Sequence, residues 1–189
     1  VLAFSSVAQL GYILLGASLV SVAAFNASVL HLFNHALAKT ALFLAVACLG
    51  MRFAKLRLED LRGAGRQMPW TLTAFAIAGL SLIGIPGTAG FISKWALILA
   101  VLEQGALGVA LVVLIVVSSL LAIVYIGRIV EQLWFGEPPG EDPSVREAPA
   151  LMLVVTWAVV AMNIWFGLDA SLTGELASRA ADDFLEHMR

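Results

Sequence analysis

Long apolar runs alternate with short polar connectors along this chain, and that pattern restricts it to a narrow set of folds. The runs predict five spans: about Val1 to Val20, Ala27 to Met51, Trp70 to Leu102, Leu107 to Trp134 and Ala150 to Gly167. Each is long enough for the roughly 20 residues that an α-helix needs to cross hydrocarbon about 30 Å thick. Period-2 alternation is lacking, which disfavours a β-barrel. Composition agrees, with 61% hydrophobic and 13% charged residues, against roughly 45–50% and about 25% in soluble domains. The expected fold class is an all-α polytopic membrane protein.

Other classes find little support. A net charge of −2 gives no reason to expect nucleic-acid binding. The single Cys48 lies in an apolar run and reads as a packing residue, so neither a disulfide framework nor a cysteine metal site is expected. No paired acids, Ser/His pair or metal-ligand cluster suggests a membrane-embedded enzyme, and no cofactor is expected. Val1 opens directly on a span-like run without a basic leader and cleavage site. A signal peptide is therefore not expected, and the chain reads as the C-terminal part of a longer protein.

Two polar connectors set the expected topology. Arg52–Gln67 carries Arg52, Lys55, Arg57, Arg62 and Arg66 against Glu59 and Asp60, as cytoplasmic loops do. The loop over 136–148 is rich in proline, glycine and acid, through Glu137, Pro138, Pro139, Gly140, Glu141, Asp142 and Pro143. Five spans place both connectors on one side, and Arg128 and Arg146 agree with that side being cytoplasmic. After the last helix, 149–168, the tail 169–189 mixes Leu172, Leu176, Phe184, Leu185 and Met188 with Glu175, Arg179, Asp182, Asp183 and Glu186. It reads either as an amphipathic helix on the membrane or a partner, or as a solvated terminal helix.

The informative charges lie inside the spans. His31, His35 and Lys39 recur every four residues, so each step advances only about 40° and the three share one helical face. A lysine at the centre of a span costs roughly 2.5–3.5 kcal/mol on insertion scales and therefore faces the bundle interior or a wet cavity. Loss of hydration disfavours the charged form of an amine, so a lysine so placed can take up and release protons. Histidine, with an ordinary pKa near 6.5, relays protons through its two ring nitrogens. Against this, one histidine in a span is often a hydrogen-bonded packing residue, and His31 could be merely interfacial. Packing gives no reason for Lys39.

A second anomaly is Ile83-Gly84-Ile85-Pro86-Gly87-Thr88-Ala89-Gly90, which puts a proline and three glycines in mid-span. Proline removes a backbone donor and glycine weakens a helix interior. A helix broken at that depth persists only where protein or a water-lined cavity satisfies its freed backbone groups. Gly84, Pro86, Gly87 and Gly90 are the expected hinge, and Lys94 just beyond is a second buried cation. Discontinuous helices supply ion sites in many transporters, whereas the bland alternative is a packing kink. Ser5, Ser6 and Gln9 could line a hydrated path or bond to neighbouring helices. Asn34, Ser118, Ser119 and Asn163 read the same way, with bonding preferred for the serines.

Three motifs carry a resemblance: Phe4-Ser5-Ser6-Val7-Ala8-Gln9-Leu10-Gly11-Tyr12, His31-Leu32-Phe33-Asn34-His35-Ala36-Leu37-Ala38-Lys39, and Gly84-Ile85-Pro86 with Gly90-Phe91-Ile92-Ser93-Lys94. In this order they resemble the antiporter-like proton-translocating subunits of respiratory complex I, Mrp-type cation/proton antiporters and membrane-bound hydrogenases. The resemblance covers about Val1 to Phe135 and is weak beyond Gly136. It implies a fourteen-helix fold with two inverted repeats, each holding a broken helix, of which this chain would supply helices ten to fourteen. Residues 1–135 would then be an antiporter-like transmembrane domain holding part of the second repeat. The resemblance further implies a central proton-carrying role for Lys39, connecting roles for His31 and His35, and an outer half-channel role for Lys94.

The family's glutamate and lysine of the first repeat have no counterpart here, so this piece would not complete a path alone. Gly65-Arg66-Gln67-Met68-Pro69-Trp70 and Gly90-Phe91-Ile92-Ser93-Lys94-Trp95 look most like the D-type subunit of Mrp antiporters. Monovalent cation/proton antiport is the implied function, with other membrane subunits, protons and Na+ as partners, in the inner membrane of a prokaryote. A proton-pumping subunit of complex I or a membrane-bound hydrogenase is the alternative, with redox chemistry in other subunits. A further alternative is a non-transporting scaffold whose lysines pair with acids on partner helices.

Overall fold

The computed structural model describes residues 2–19, 21–137 and 145–187; Val1, Val20, Met188 and most of the proline-rich loop, including Pro138, Pro139, Gly140, Glu141, Asp142 and Pro143, lie outside them. Among the described residues the chain is helical. In order come α1 (Leu2–Ser18), α2 (Val22–Gly50), a 3-10 turn at Ala64–Arg66, α3 (Pro69–Ile83), α4 (Ala89–Leu102), α5 (Ala106–Phe135), α6 (Ala150–Leu168) and α7 (Ser171–His187).

Three of these, α2, α5 and α6, are each long and apolar enough to cross a membrane. The interrupted third span is α3 plus α4, broken where the glycines and proline predict. The first span is a shorter apolar helix of 17 residues. Helix α2 starts five residues before the expected Ala27, because Ser21 accepts the Phe25 N–H at 2.9 Å and opens the first turn. Asn26 therefore sits inside α2 rather than in the link.

Helix α2 is the central post and packs on α1, α3, α4, α6 and α7. Its alanines explain this: Ala24, Ala27, Ala38, Ala41 and Ala45 are all buried, and small side chains let neighbouring backbones come close. One apolar cluster gathers Leu42, Leu49, Phe75, Leu82, Ile126 and Val160 at the connector end. A second joins Tyr12, Ala27, Leu97, Val101 and Ile115 at the opposite end. The buried polar residues of α2 fall between the two clusters along the helix. Helix α5 buries Gly108, Ile115, Ala122, Ile126 and Leu133 and exposes apolar side chains elsewhere, as a lipid-facing helix does.

Both connectors meet at one end of the bundle, as the count of spans predicts. The Arg52 guanidinium donates to the Glu147 carbonyl at 2.7 and 3.1 Å. The Glu147 carboxylate accepts the N–H groups of Trp70 and Thr71 at 2.6 and 3.2 Å and the Thr71 hydroxyl at 2.8 Å. It thus occupies the N-terminus of α3, where free N–H groups and the helix dipole favour an anion.

The tail is helical, and α7 lies along α2, with the Phe184 ring stacked on Phe25 at 4.7 Å. Its buried face is Thr173, Ala177 and Ala181, whereas Leu172 and Leu176 stay exposed. Small residues, not leucines, allow the close approach.

Candidate functional site

The break is built by overlap. Helix α3 ends at Gly84, whose φ of 94° is open to glycine, with the Gly84 and Ile85 N–H groups both donating to the Leu80 carbonyl. Gly87 supplies a second positive φ of 87°. Helix α4 then starts beside the last turn of α3: the Gly90 N–H donates to the Ser81 hydroxyl at 3.1 Å. A Cβ on Gly90 would collide with the Ser81 carbonyl, so only glycine permits the overlap.

This overlap sets Lys94. Its Nζ donates to the carbonyls of Leu82 and Ile83 at 3.0 and 2.7 Å and to the Ser119 hydroxyl at 3.2 Å. Those carbonyls end α3 and would otherwise lack intrahelical donors; a cation is favoured at that pole of the dipole. The Tyr12 ring lies 5.4 Å from the amine. Lys94 is 5% exposed.

On α2, the predicted face holds. Lys39 is 6% exposed and donates to the Leu2 carbonyl and the Ser5 hydroxyl of α1. His31 is 2% exposed and held at both ring nitrogens, Nδ1 to Ser93 Oγ at 2.9 Å and Nε2 to Gln9 Oε1 at 3.0 Å. The His35 ring is nearly parallel to it, with centroids 6.2 Å apart. Lys39 follows His35 by four positions on the same face of α2. Among the described residues, neither lysine makes an ion pair; the two pairs found, Arg57–Glu59 and Arg179–Glu175, are exposed.

The structure thus brings the buried Lys39, His31 and Lys94 and the half-buried His35 into one polar layer, with Gly84, Gly87 and Gly90 shaping the break beside it. It gives partners to residues that the sequence reading set between lining a hydrated path and bonding to neighbouring helices, and it adds Ser93. Ser5 and Gln9 serve Lys39 and His31, Ser93 bridges α4 to α2, Ser119 holds Lys94, and Asn34 donates to the Ala89 carbonyl at 2.7 Å. A usable signal was present: Ser5, Gln9, Tyr12 and Gly16 repeat at helical spacing and form the buried face of α1. Ser6 bonds within its own helix, to the Leu2 carbonyl at 3.4 Å, rather than to a neighbouring helix as expected. Outside this layer, a cleft of about 620 Å³ between α1 and α5 is lined by Ser5, Gln9, Ser118 and Tyr125 among apolar residues.

Comparison with known proteins agrees with this architecture. The family described as "NADH:quinone oxidoreductase/Mrp antiporter, TM" matches residues 1–122. NADH-quinone oxidoreductase subunit N of Desulforudis audaxviator is 41% identical over 165 residues, covering 81% of this chain and 32% of that protein. Na(+)/H(+) antiporter subunit A1 of Staphylococcus haemolyticus is 32% identical over 191 residues, covering 89% of this chain and 24% of its own length. The structure of the Mrp complex from Dietzia sp. DQ12-45-1b superposes with a TM-score of 0.84 at 28% identity, over 95% of this chain and 41% of that one. The chain therefore spans about a third of the length of its first curated relative. Fold, buried layer and family match converge: this chain belongs to the transmembrane family of NADH:quinone oxidoreductase and Mrp antiporter subunits.

Proposed function

We propose that this chain carries one segment of a proton path, running along Lys39, His35 and His31 of α2 to Lys94 at the broken helix. The observation that carries the reading is that two lysines, 6% and 5% exposed, take neutral carbonyl and hydroxyl oxygens as acceptors and, among the described residues, no carboxylate. A fixed structural cation would be matched by a buried carboxylate. An amine among neutral acceptors keeps the charged and neutral forms closer in energy, which a proton carrier requires. His31 and His35 stack between the lysines along α2 and its neighbour α4, and the cleft between α1 and α5 gives water a polar approach to Ser5 and Gln9.

In this reading the protein works as part of a multisubunit Mrp-type assembly that exchanges a monovalent cation such as Na+ for protons. The likeness to the Dietzia Mrp complex supports it. A proton-pumping role in an NADH-quinone oxidoreductase is the second reading, favoured by the 41% identity to subunit N. The turn at Gly84, Pro86 and Gly87 and the contact at Gly90 would serve as the hinge that lets α4 move relative to α3.

The test is flux. In inverted membrane vesicles holding the complete assembly, Lys39→Met and Lys94→Met should each abolish coupled proton movement while the complex still assembles. Undiminished flux in both variants would remove the reading. The co-purifying subunits separate the Mrp form from the oxidoreductase form.

A further inference from the structure

His31 is the one member of the polar layer with a protein partner on each ring nitrogen, and those partners differ in kind. A neutral imidazole has one N–H donor and one bare acceptor nitrogen. Gln9 presents Oε1, which only accepts, to Nε2 at 3.0 Å. Ser93 presents a hydroxyl, which donates or accepts, to Nδ1 at 2.9 Å. The same hydroxyl lies 3.3 Å from the Gly90 carbonyl, which only accepts. One hydroxyl proton cannot serve both at once.

We infer that Gln9 and Ser93 are positioning residues for His31: the Gln9 amide keeps Nε2 protonated, and the Ser93 hydroxyl turns between Nδ1 and the Gly90 carbonyl as Nδ1 loses or gains its proton. In the neutral ring, Nε2–H donates to Gln9 Oε1 and the Ser93 hydroxyl donates to Nδ1. In the charged ring, Nδ1–H donates to Ser93 Oγ, and the hydroxyl proton points to Gly90. Both ring nitrogens and the Ser93 hydroxyl have a partner in both states, so neither state orphans one of them. The opposite neutral tautomer would set a bare Nε2 against the Gln9 carbonyl oxygen, lone pair to lone pair. The proton that distinguishes the two states is therefore the one on Nδ1, which faces α4 and its broken start, while Nε2 keeps its proton towards Gln9.

The surroundings hold this geometry. The Tyr12 ring meets the imidazole edge-on at 5.6 Å, and His35 stacks at 6.2 Å, so the ring has little room to flip. The titratable groups around the ring are Tyr12 and His35, which flank it, and Lys94, which follows Ser93 on α4. The inference rests on His31 carrying protons, as proposed above, but its first readout does not depend on flux.

Nitrogen-15 spectra of histidine-labelled full-length protein in its assembly read the tautomer directly. The wild type should show neutral His31 protonated at Nε2. Gln9→Leu, or Gln9→Met should the leucine variant not assemble, should show both tautomers, whereas Gln9→Glu, still an acceptor, should keep Nε2–H. In flux, Ser93→Ala should lose about three- to tenfold, the worth of one buried hydrogen bond, and Ser93→Thr should recover most of it. A wild-type His31 protonated at Nδ1, or a tautomer unmoved in both apolar Gln9 variants, overturns the inference. So does equal flux in Ser93→Ala and wild type where Lys94→Met has none. If Lys94→Met keeps full flux, the translocation reading falls by itself, and the tautomer spectra still decide the roles of Gln9 and Ser93.

Discussion

The Lys94 amine closes a helix other than its own: it donates to the Ile83 carbonyl of α3 at 2.7 Å, eleven positions back along the chain. The same group is thus a candidate proton carrier and the C-terminal cap of the preceding half-helix. Its two duties can be separated by substitution.

Lys94→Met should lose flux and also stability, because the Leu82 and Ile83 carbonyls are left buried without a donor. An unsatisfied buried group costs about 1–3 kcal/mol, which thermal unfolding of the detergent-solubilised complex would register. Equal midpoints for the variant and the wild type would show that the cap is dispensable.

Lys39→Met should behave differently. Its partners are the Ser5 hydroxyl, which can turn elsewhere, and the Leu2 carbonyl in the first turn of α1. Replacing a buried charge with an apolar side chain of similar shape is often neutral or stabilising. The expected result is lost flux with an unfolding midpoint no lower than wild type. A large fall in stability would mean that Lys39 is structural.

Two glycines of the break should differ sharply. Gly90→Ala drives a methyl into the Ser81 carbonyl, so α4 must shift away from α3 at a cost of several kcal/mol, the upper range for overpacking. Gly87→Ala meets no atom within 4 Å and carries only the strain of its φ of 87°, about 1–2 kcal/mol. Measured stabilities in the reverse order would contradict the overlap of the half-helices.

Asp169 gives a pH prediction outside the spans. The Ser171 hydroxyl first, and then the Ser171 N–H at 3.0 Å, hold its carboxylate below the ordinary value of 3.8 at the start of α7. A lowered folded-state value means the stabilisation is present above 3.8 and is lost as pH falls through the lower value. The protection of amides in the first turn of α7, measured as exchange relative to the intrinsic rate at each pH, should therefore fall in acid, and Asp169→Asn should blunt that response. Protection that stays constant across this range would leave the cap without effect.

The spans, the break and the His31–Lys39 face were legible because each follows from local periodicity or from a local breach of it. Lys39 and Lys94 announced themselves by cost alone. What lay beyond the sequence was pairing across helices: that Gln9 meets His31, that Ser93 reaches back to α2, and that Ser119 meets Lys94. Such contacts depend on how α1, α4 and α5 rotate against α2, and serine or glutamine at a helix interface fits packing equally well. The buried face of α7 was missed for a related reason. Leucines drew attention, whereas alanine and threonine made the contact.

Glu147 holds the first N–H groups of α3, and Lys94 holds its last carbonyls. Fifteen residues of regular helix stand between them, a rod of about 22 Å. A loop side chain at the bundle's edge and an amine in its middle are consequently joined by a strut that neither bends nor stretches cheaply. Any partner that pulled on the loop around Glu147 would displace the carbonyl seat of Lys94 by a similar distance. The depth of the buried amine is therefore set as much from the rim as from its own surroundings.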